Sequence, residues 1–222
     1  MKESEDTHFL EHPEVKVLFN EVLPELIAES DRGAVIVGAD VVDSQLRLLF
    51  EKLMSKSISN KKRKSIFDYP GPLSTFSAKT DVALAVGYIG ERTYNCVHAL
   101  RRIRNEAAHS NKNFIFSSIS KELREMYNLG EGVPIGINRW ALDFIMHTFV
   151  ENALSKTRKL KDELGKVPFE TPREVIDYIA DKPDLIKPLE EKLPRYEFAL
   201  GLVMLCAMII FERDRAFEKK KY

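Results

Sequence analysis

Cysteine is scarce in this sequence, tryptophan occurs once, and neither sign of charge is in excess. Two cysteines in 222 residues, Cys96 and Cys206, exclude a small scaffold stapled by disulfides. Both stand inside apolar helical patterns and read as buried free thiols. No Cys/His cluster has metal-ligand spacing, so neither a metal nor a cofactor is implied. Lys plus Arg equals Asp plus Glu at 34 each, and the formal net charge is zero. No global field therefore draws nucleic acid to the chain, and any such contact needs a local patch. The longest apolar run, residues 198–211, falls short of the roughly 20 residues that span a bilayer. It is flanked by Glu197 and by Glu212-Arg213-Asp214-Arg215, reads as a buried core helix, and gives no reason to expect a membrane partner. The opening residues, 1–6, are acidic and lack the apolar stretch of a secretory signal, so a cytoplasmic location is expected. Gly130-x-Gly132 follows no strand and makes no phosphate cradle. No serine-nucleophile motif is present either.

Against those absences, 44% of residues are hydrophobic and 31% are charged, a globular balance in a chain long enough to bury its own core. The spacing of apolar residues predicts helices almost throughout. One runs from Pro13 to about Ala28, with Pro24 kinking or dividing it. Ser30 or Asp31 caps a second, from about Arg32 to Ser55. Residues 56–72 read as a loop holding the basic cluster Lys61, Lys62, Arg63 and Lys64. Ser74 or Thr75 caps a third helix reaching about Tyr88, and a fourth spans Glu91 to Ala108 or His109. A short helix follows around Ile115 to Met126, then a long one from about Arg139 to Leu164. Thr171-Pro172-Arg173-Glu174 starts another, with proline in the first turn and a glutamate to complete the cap. The apolar helix from about Pro194 to Glu212 comes last. The expected fold is all-α: an antiparallel helical bundle over residues 1–164, with additional C-terminal helices, residues 165–222, packed on the same core.

The fourth helix has two unlike faces. At 100° per residue, Cys96, Leu100, Ile103 and Ala107 fall on one stripe and form the core face. His98, Arg102, Asn105 and His109 lie nearly opposite, with Arg101 beside them. Arg104 stands at the apolar edge. A guanidinium partly buried there needs a carboxylate, a carbonyl or a phosphate. Asp40 and Asp43 on the second helix are the candidates, and Asp43 is the structural partner expected.

Four blocks carry a resemblance: residues 31–43, opening Asp31-Arg32-Gly33-Ala34; Gly71-Pro72-Leu73-Ser74-Thr75-Phe76-Ser77-Ala78-Lys79; residues 84–89; and Arg101-Arg102-Ile103-Arg104-Asn105-Glu106-Ala107-Ala108-His109. Together they are similar to the mannitol operon repressor family over roughly residues 20 to 150. That resemblance implies an all-helical transcriptional regulator that represses its operon through protein–protein contacts instead of reading DNA. A homodimer and a regulatory protein partner are then expected. Arg104, four residues and His109 also resemble the Arg-x4-His motif of HEPN domains, with Asn105 following the arginine. This second resemblance implies the alternative: a metal-independent ribonuclease of a toxin or defence system, acting on RNA with Arg104, Asn105 and His109 as its catalytic residues. Histidine titrates near neutrality and can move the protons, while arginine can hold a phosphorane. Within one helix Arg104 and His109 stand about 140° apart, so a composite site across a dimer is implied. The plain reading is structural, with His109 capping the helix and Arg104 in an ion pair. Lys61, Lys62, Arg63 and Lys64 would supply phosphate contacts, or form only a solvated surface.

Overall fold

Pro24 shapes the first helical stretch. It has no N–H to donate, and its ring crowds the carbonyl of Asn20. The helix answers by widening. In a computed structural model that describes residues 11–110, 113–165 and 168–219, with side chains except those of 160–164, α1 (Pro13–Val17) passes into a π turn (Leu18–Val22) and then into α2 (Leu23–Ala28). The extra residue per turn absorbs the missing bond without ending the helix.

Ser30 begins α3 (Asp31–Leu53), its hydroxyl accepting from the Gly33 N–H at 3.1 Å. Ala34, Val35, Gly38, Ala39, Val42, Leu46 and Leu49 are buried along α3, the period of one helical stripe. The stretch expected as a loop contains a helix instead, α4 (Asn60–Phe67), capped by Ser59. Its basic residues hid the signal, since only Phe67 is buried. Arg47 lies over the Phe67 ring, 4.9 Å from its centre.

Gly71 turns the chain from α4 into α5 (Phe76–Ala85). A Cβ there would lie under 3.0 Å from the carbonyl oxygens of Ile66, Ser65 and Asp68, so only glycine lets the backbone pass so close. Thr75 caps α5 by accepting from the Ala78 N–H at 3.1 Å. Beyond Gly87, at φ +71°, α6 (Glu91–His109) follows. A 3-10 turn (Phe116–Ile119) leads into α7 (Ser120–Met126), and α8 (Val133–Leu164) starts six residues before the expected Arg139. Thr171 caps α9 (Pro172–Ala180), with Glu174 accepting from the Glu170 N–H at 2.7 Å; α10 (Pro183–Glu190) and α11 (Leu193–Lys219) complete the order. The protein is all-helical, with no strand among the described residues.

α11 is the centre of the core. It packs against α3, α8, α2, α7 and α6, and from Tyr196 to Val203 every residue is buried. A helix apolar on all sides must be enclosed. Residues 183–219 include a helix long and apolar enough to cross a membrane, yet 72% of its most apolar window is buried in this fold. Two glycines let helices meet closely. A Cβ on Gly38 of α3 would collide with Leu202, and one on Gly201 of α11 would lie under 3.0 Å from Tyr127. Cys96 and Cys206 are buried and free.

Polar ties between distant segments fix the arrangement. Asp31 accepts from the Phe116 N–H at 2.8 Å and from Arg195 at 2.6 Å. Arg32 beside it donates to the Ser110 carbonyl at 2.9 Å. The chain leaving α6 is thus held against the start of α3. At the other end of the core, buried Arg213 grips both carboxylate oxygens of Glu14, at 2.8 and 2.6 Å, and also donates to Asp214.

Candidate functional site

α6 places its side chains by the period of the helix. Thr93, Cys96, Val97, Ala99, Leu100, Ile103 and Ala107 are buried against α3, α7 and α5. His98, Arg102, Arg104, Asn105 and His109 are exposed, and Arg101 is half-exposed. The two-faced helix read from the sequence is therefore present. Its open face lies between two clefts.

The first cleft, of about 350 Å³, is walled by α3, the start of α5 and α6. Asp40 and Asp43 line it from α3, Thr75, Phe76 and Ser77 from the turn into α5, and Arg101, Arg104 and Asn105 from α6. Residues from three of the four resemblance blocks meet here, although 62 positions separate Asp43 from Asn105 in sequence. Gly71 is the reason the second block can reach it, because its backbone contact sets where Thr75 falls.

The structure corrects the expected pairing of Arg104 with Asp43. Arg104 is exposed, because its long side chain carries the guanidinium out to water from the edge of the apolar face. Asp43 pairs instead with Lys79 of α5, at 3.0 Å. Lys79 is 3% exposed and also donates to the Leu73 carbonyl at 3.3 Å. Burial holds the Asp43 carboxyl above the usual carboxylate range, against the opposing pull of the Lys79 ammonium. Lys79 was missed in the sequence. A signal existed: Phe76, Lys79, Thr80 and Ala83 share one helical face, and a lysine on a buried face needs an acid.

Replacing Lys79 with methionine should therefore destabilise the protein by about 1–3 kcal/mol at pH 7, less than a fully buried broken pair because Asp43 keeps some water contact. A carboxyl whose folded pKa is raised favours the folded state below that pKa and disfavours it above. The gap between K79M and wild type should thus narrow as pH falls and Asp43 takes up a proton. Chemical denaturation at pH 7 and pH 5 measures both values, and a gap that widens toward acid contradicts the assignment.

His109 closes α6 and is exposed, but does not line the cleft of Arg104 and Asn105. Nor do Lys61, Lys62, Arg63 and Lys64, which lie on α4. The carbonyl end of α6 is served by Arg32, which reaches the Ser110 carbonyl.

The second cleft, of about 570 Å³, lies between α6 and α7. Arg92, Asn95, Cys96, His98 and Arg102 line it with Glu125, Asn128, Gly130 and Glu131. Arg102 and Glu125 form an ion pair across it. Burial pushes the Cys96 thiol up to about 12, so it offers no thiolate at neutral pH. His98 stands 5.7 Å from the Tyr94 ring.

α6 thus presents guanidinium and imidazole groups in one open sector, flanked by a cleft that mixes carboxylates, hydroxyls and arginines. Such a surface suits an anionic or strongly polar partner. Comparison with protein-family models, curated proteins and solved structures returned no match.

Proposed function

We propose that this protein is a transcriptional regulator similar to the mannitol operon repressor family. On this reading it is a HEPN-like helical bundle with added C-terminal helices, working as a homodimer that engages a regulatory protein. The observation that carries the reading is the uncovered face of α6, with Arg101, Arg102, Arg104, His98 and His109 in one polar sector. Arg101 and Arg104, which make no ion pair among the described residues, favour an acidic protein partner and give little to an apolar one. The chain's zero net charge supports protein contact over DNA binding. Reversing charge with Arg101→Glu and Arg102→Glu should abolish repression of a reporter driven by the protein's own upstream region, at unchanged protein level. Tight sequence-specific binding of that DNA by the purified chain alone would overturn the partner-mediated reading.

A second reading, a metal-independent ribonuclease, is favoured by one observation: Arg104 and His109 both reach solvent at the end of α6. In that chemistry the ribose 2′-oxygen attacks phosphorus and the 5′-oxygen leaves, giving a cyclic phosphate. His109 relays the protons, and Arg104 holds the charge of the phosphorane. The angle of about 140° between them requires a second α6 to complete the site. RNA cleavage in EDTA should then fall by about 10²–10⁴-fold in His109→Ala. Equal cleavage by wild type and variant removes this reading.

A further inference from the structure

The cleft beside Asp43 is more than a flank of the α6 face. Arg101 and Arg104 reach into it and make no ion pair among the described residues. Lys79 already answers the carboxylate of Asp43, leaving Asp40 as the other acid that lines the cleft opposite the two guanidiniums; Asp81 of α5 lies behind Ser77, which donates to it at 3.2 Å. The cleft is lined by two arginines on its α6 wall and two acids on its α3 wall, and one of those acids is already answered from behind the lining by buried Lys79. Planar guanidinium forks match phosphate oxygens, and two side by side can hold one phosphate from both sides. The α3 wall offers the opposite chemistry. Carboxylates accept from hydroxyl groups; on the α5 side the Thr75 hydroxyl accepts from the Ala78 N–H and keeps its proton to give, while the Ser77 hydroxyl donates to Asp81 and keeps lone pairs to accept. A volume of about 350 Å³ is at the small end of metabolite sites.

We infer that this cleft binds a small phosphorylated polyhydroxy compound, its phosphate on Arg101 and Arg104 and its hydroxyls on Asp40 and Asp43. The division of labour follows from charge. A bare sugar leaves the arginines without a counter-charge, and a bare phosphate leaves the carboxylates without donors. The binding is independent of the partner proposal, since it is read on the purified chain with no second protein present. It shares Arg101 and Arg104 with the α6 face, so an occupied cleft changes the charge that face presents.

The test uses the full chain at low salt, with ribose 5-phosphate, ribose, inorganic phosphate and a short single-stranded RNA titrated by calorimetry. Ribose 5-phosphate should bind at least tenfold tighter than phosphate or ribose. The double variant Arg101→Ala, Arg104→Ala should weaken it at least tenfold. Asp40→Asn should weaken ribose 5-phosphate while leaving phosphate unchanged or tighter, a split that mere loss of folding does not produce. All three side chains reach solvent, and circular dichroism checks that each variant keeps its helices. Equal affinity for phosphate and ribose 5-phosphate overturns the hydroxyl contacts. Absence of ribose 5-phosphate binding, or binding unmoved by the arginine variants, overturns the site. RNA binding through these arginines in the absence of ribose 5-phosphate binding assigns the cleft to a strand and also overturns it.

Discussion

Gly201→Val is expected to lower the unfolding temperature by roughly 10 °C, a loss of about 3 kcal/mol. The reason is a single close approach. A Cβ at Gly201 would lie under 3.0 Å from the Cβ and two ring carbons of Tyr127. Tyr127 is fully buried, so its ring has no empty space to move into. α7 and α11 must therefore separate, and the loss extends to the neighbours that both helices share. Valine adds two methyl groups beyond the colliding Cβ and cannot escape by rotation. Gly136 in α8 is the internal control. A Cβ there meets nothing within 4 Å, and Gly136→Ala should leave stability unchanged or raise it by about 0.5–1 kcal/mol. Thermal unfolding followed by circular dichroism compares the two. A G201V protein as stable as wild type would mean that α11 does not pass under Tyr127.

Arg213→Leu should be nearly as damaging, by about 2–4 kcal/mol at pH 7. Arg213 is 3% exposed and holds Glu14 by two parallel hydrogen bonds, joining α1 to the far end of α11. It also donates to Asp214, which accepts from Lys52 at 2.7 Å. Leucine fills some of the volume but leaves Glu14 without its arginine and Asp214 with Lys52 in place of two cations. Glu14 is partly exposed, so its share of the penalty is tempered by water. The same contacts predict a pH dependence. The hydrogen bond from Arg213 holds the Glu14 carboxyl below its ordinary value. Burial pushes Asp214 up, but the bonds from Arg213 and Lys52 outweigh it and hold that group low as well. A carboxyl whose folded pKa is depressed stabilises the fold above its unfolded value of about 4, and that stability is lost as pH falls through the folded value. Wild type should lose stability below about pH 4, and the curve of R213L should be flatter there. Parallel curves for the two proteins would separate acid sensitivity from this network.

Several elements were legible because their causes are local. Thr75 and Thr171 cap helices as their sequences suggest, since a cap is a contact between residues two or three apart. The extent of α6 and its apolar stripe followed from period alone. The apolar run near the end became a core helix for the same reason, although α11 runs on to Lys219. Other features had a readable residue but an unreadable partner. Arg104 is read from the sequence as needing an acid and Asp43 as the acid expected, yet Asp43 pairs with Lys79. Azimuth on one helix says nothing about which neighbour brings the opposite charge. α4 was hidden because only Phe67 among its eight residues is buried, leaving almost no apolar period to detect.

The sequence by itself determined that the chain is helical, where most helices begin, and which side of α6 meets the core. Each of those rests on contacts within a turn or two of the backbone, so short-range spacing carries them wherever an apolar period is present, as it is not in α4. Only the tertiary structure decided that Asp43 and Lys79 neutralise each other, that Arg101 and Arg104 share a cleft with Asp40, and that Glu14 meets Arg213 across 199 positions. Those meetings depend on how helices cross, which the close approaches at Gly38 and Gly201 set. A glycine in a linear pattern announces only that something is missing there; the neighbour that needs the space is supplied by the fold.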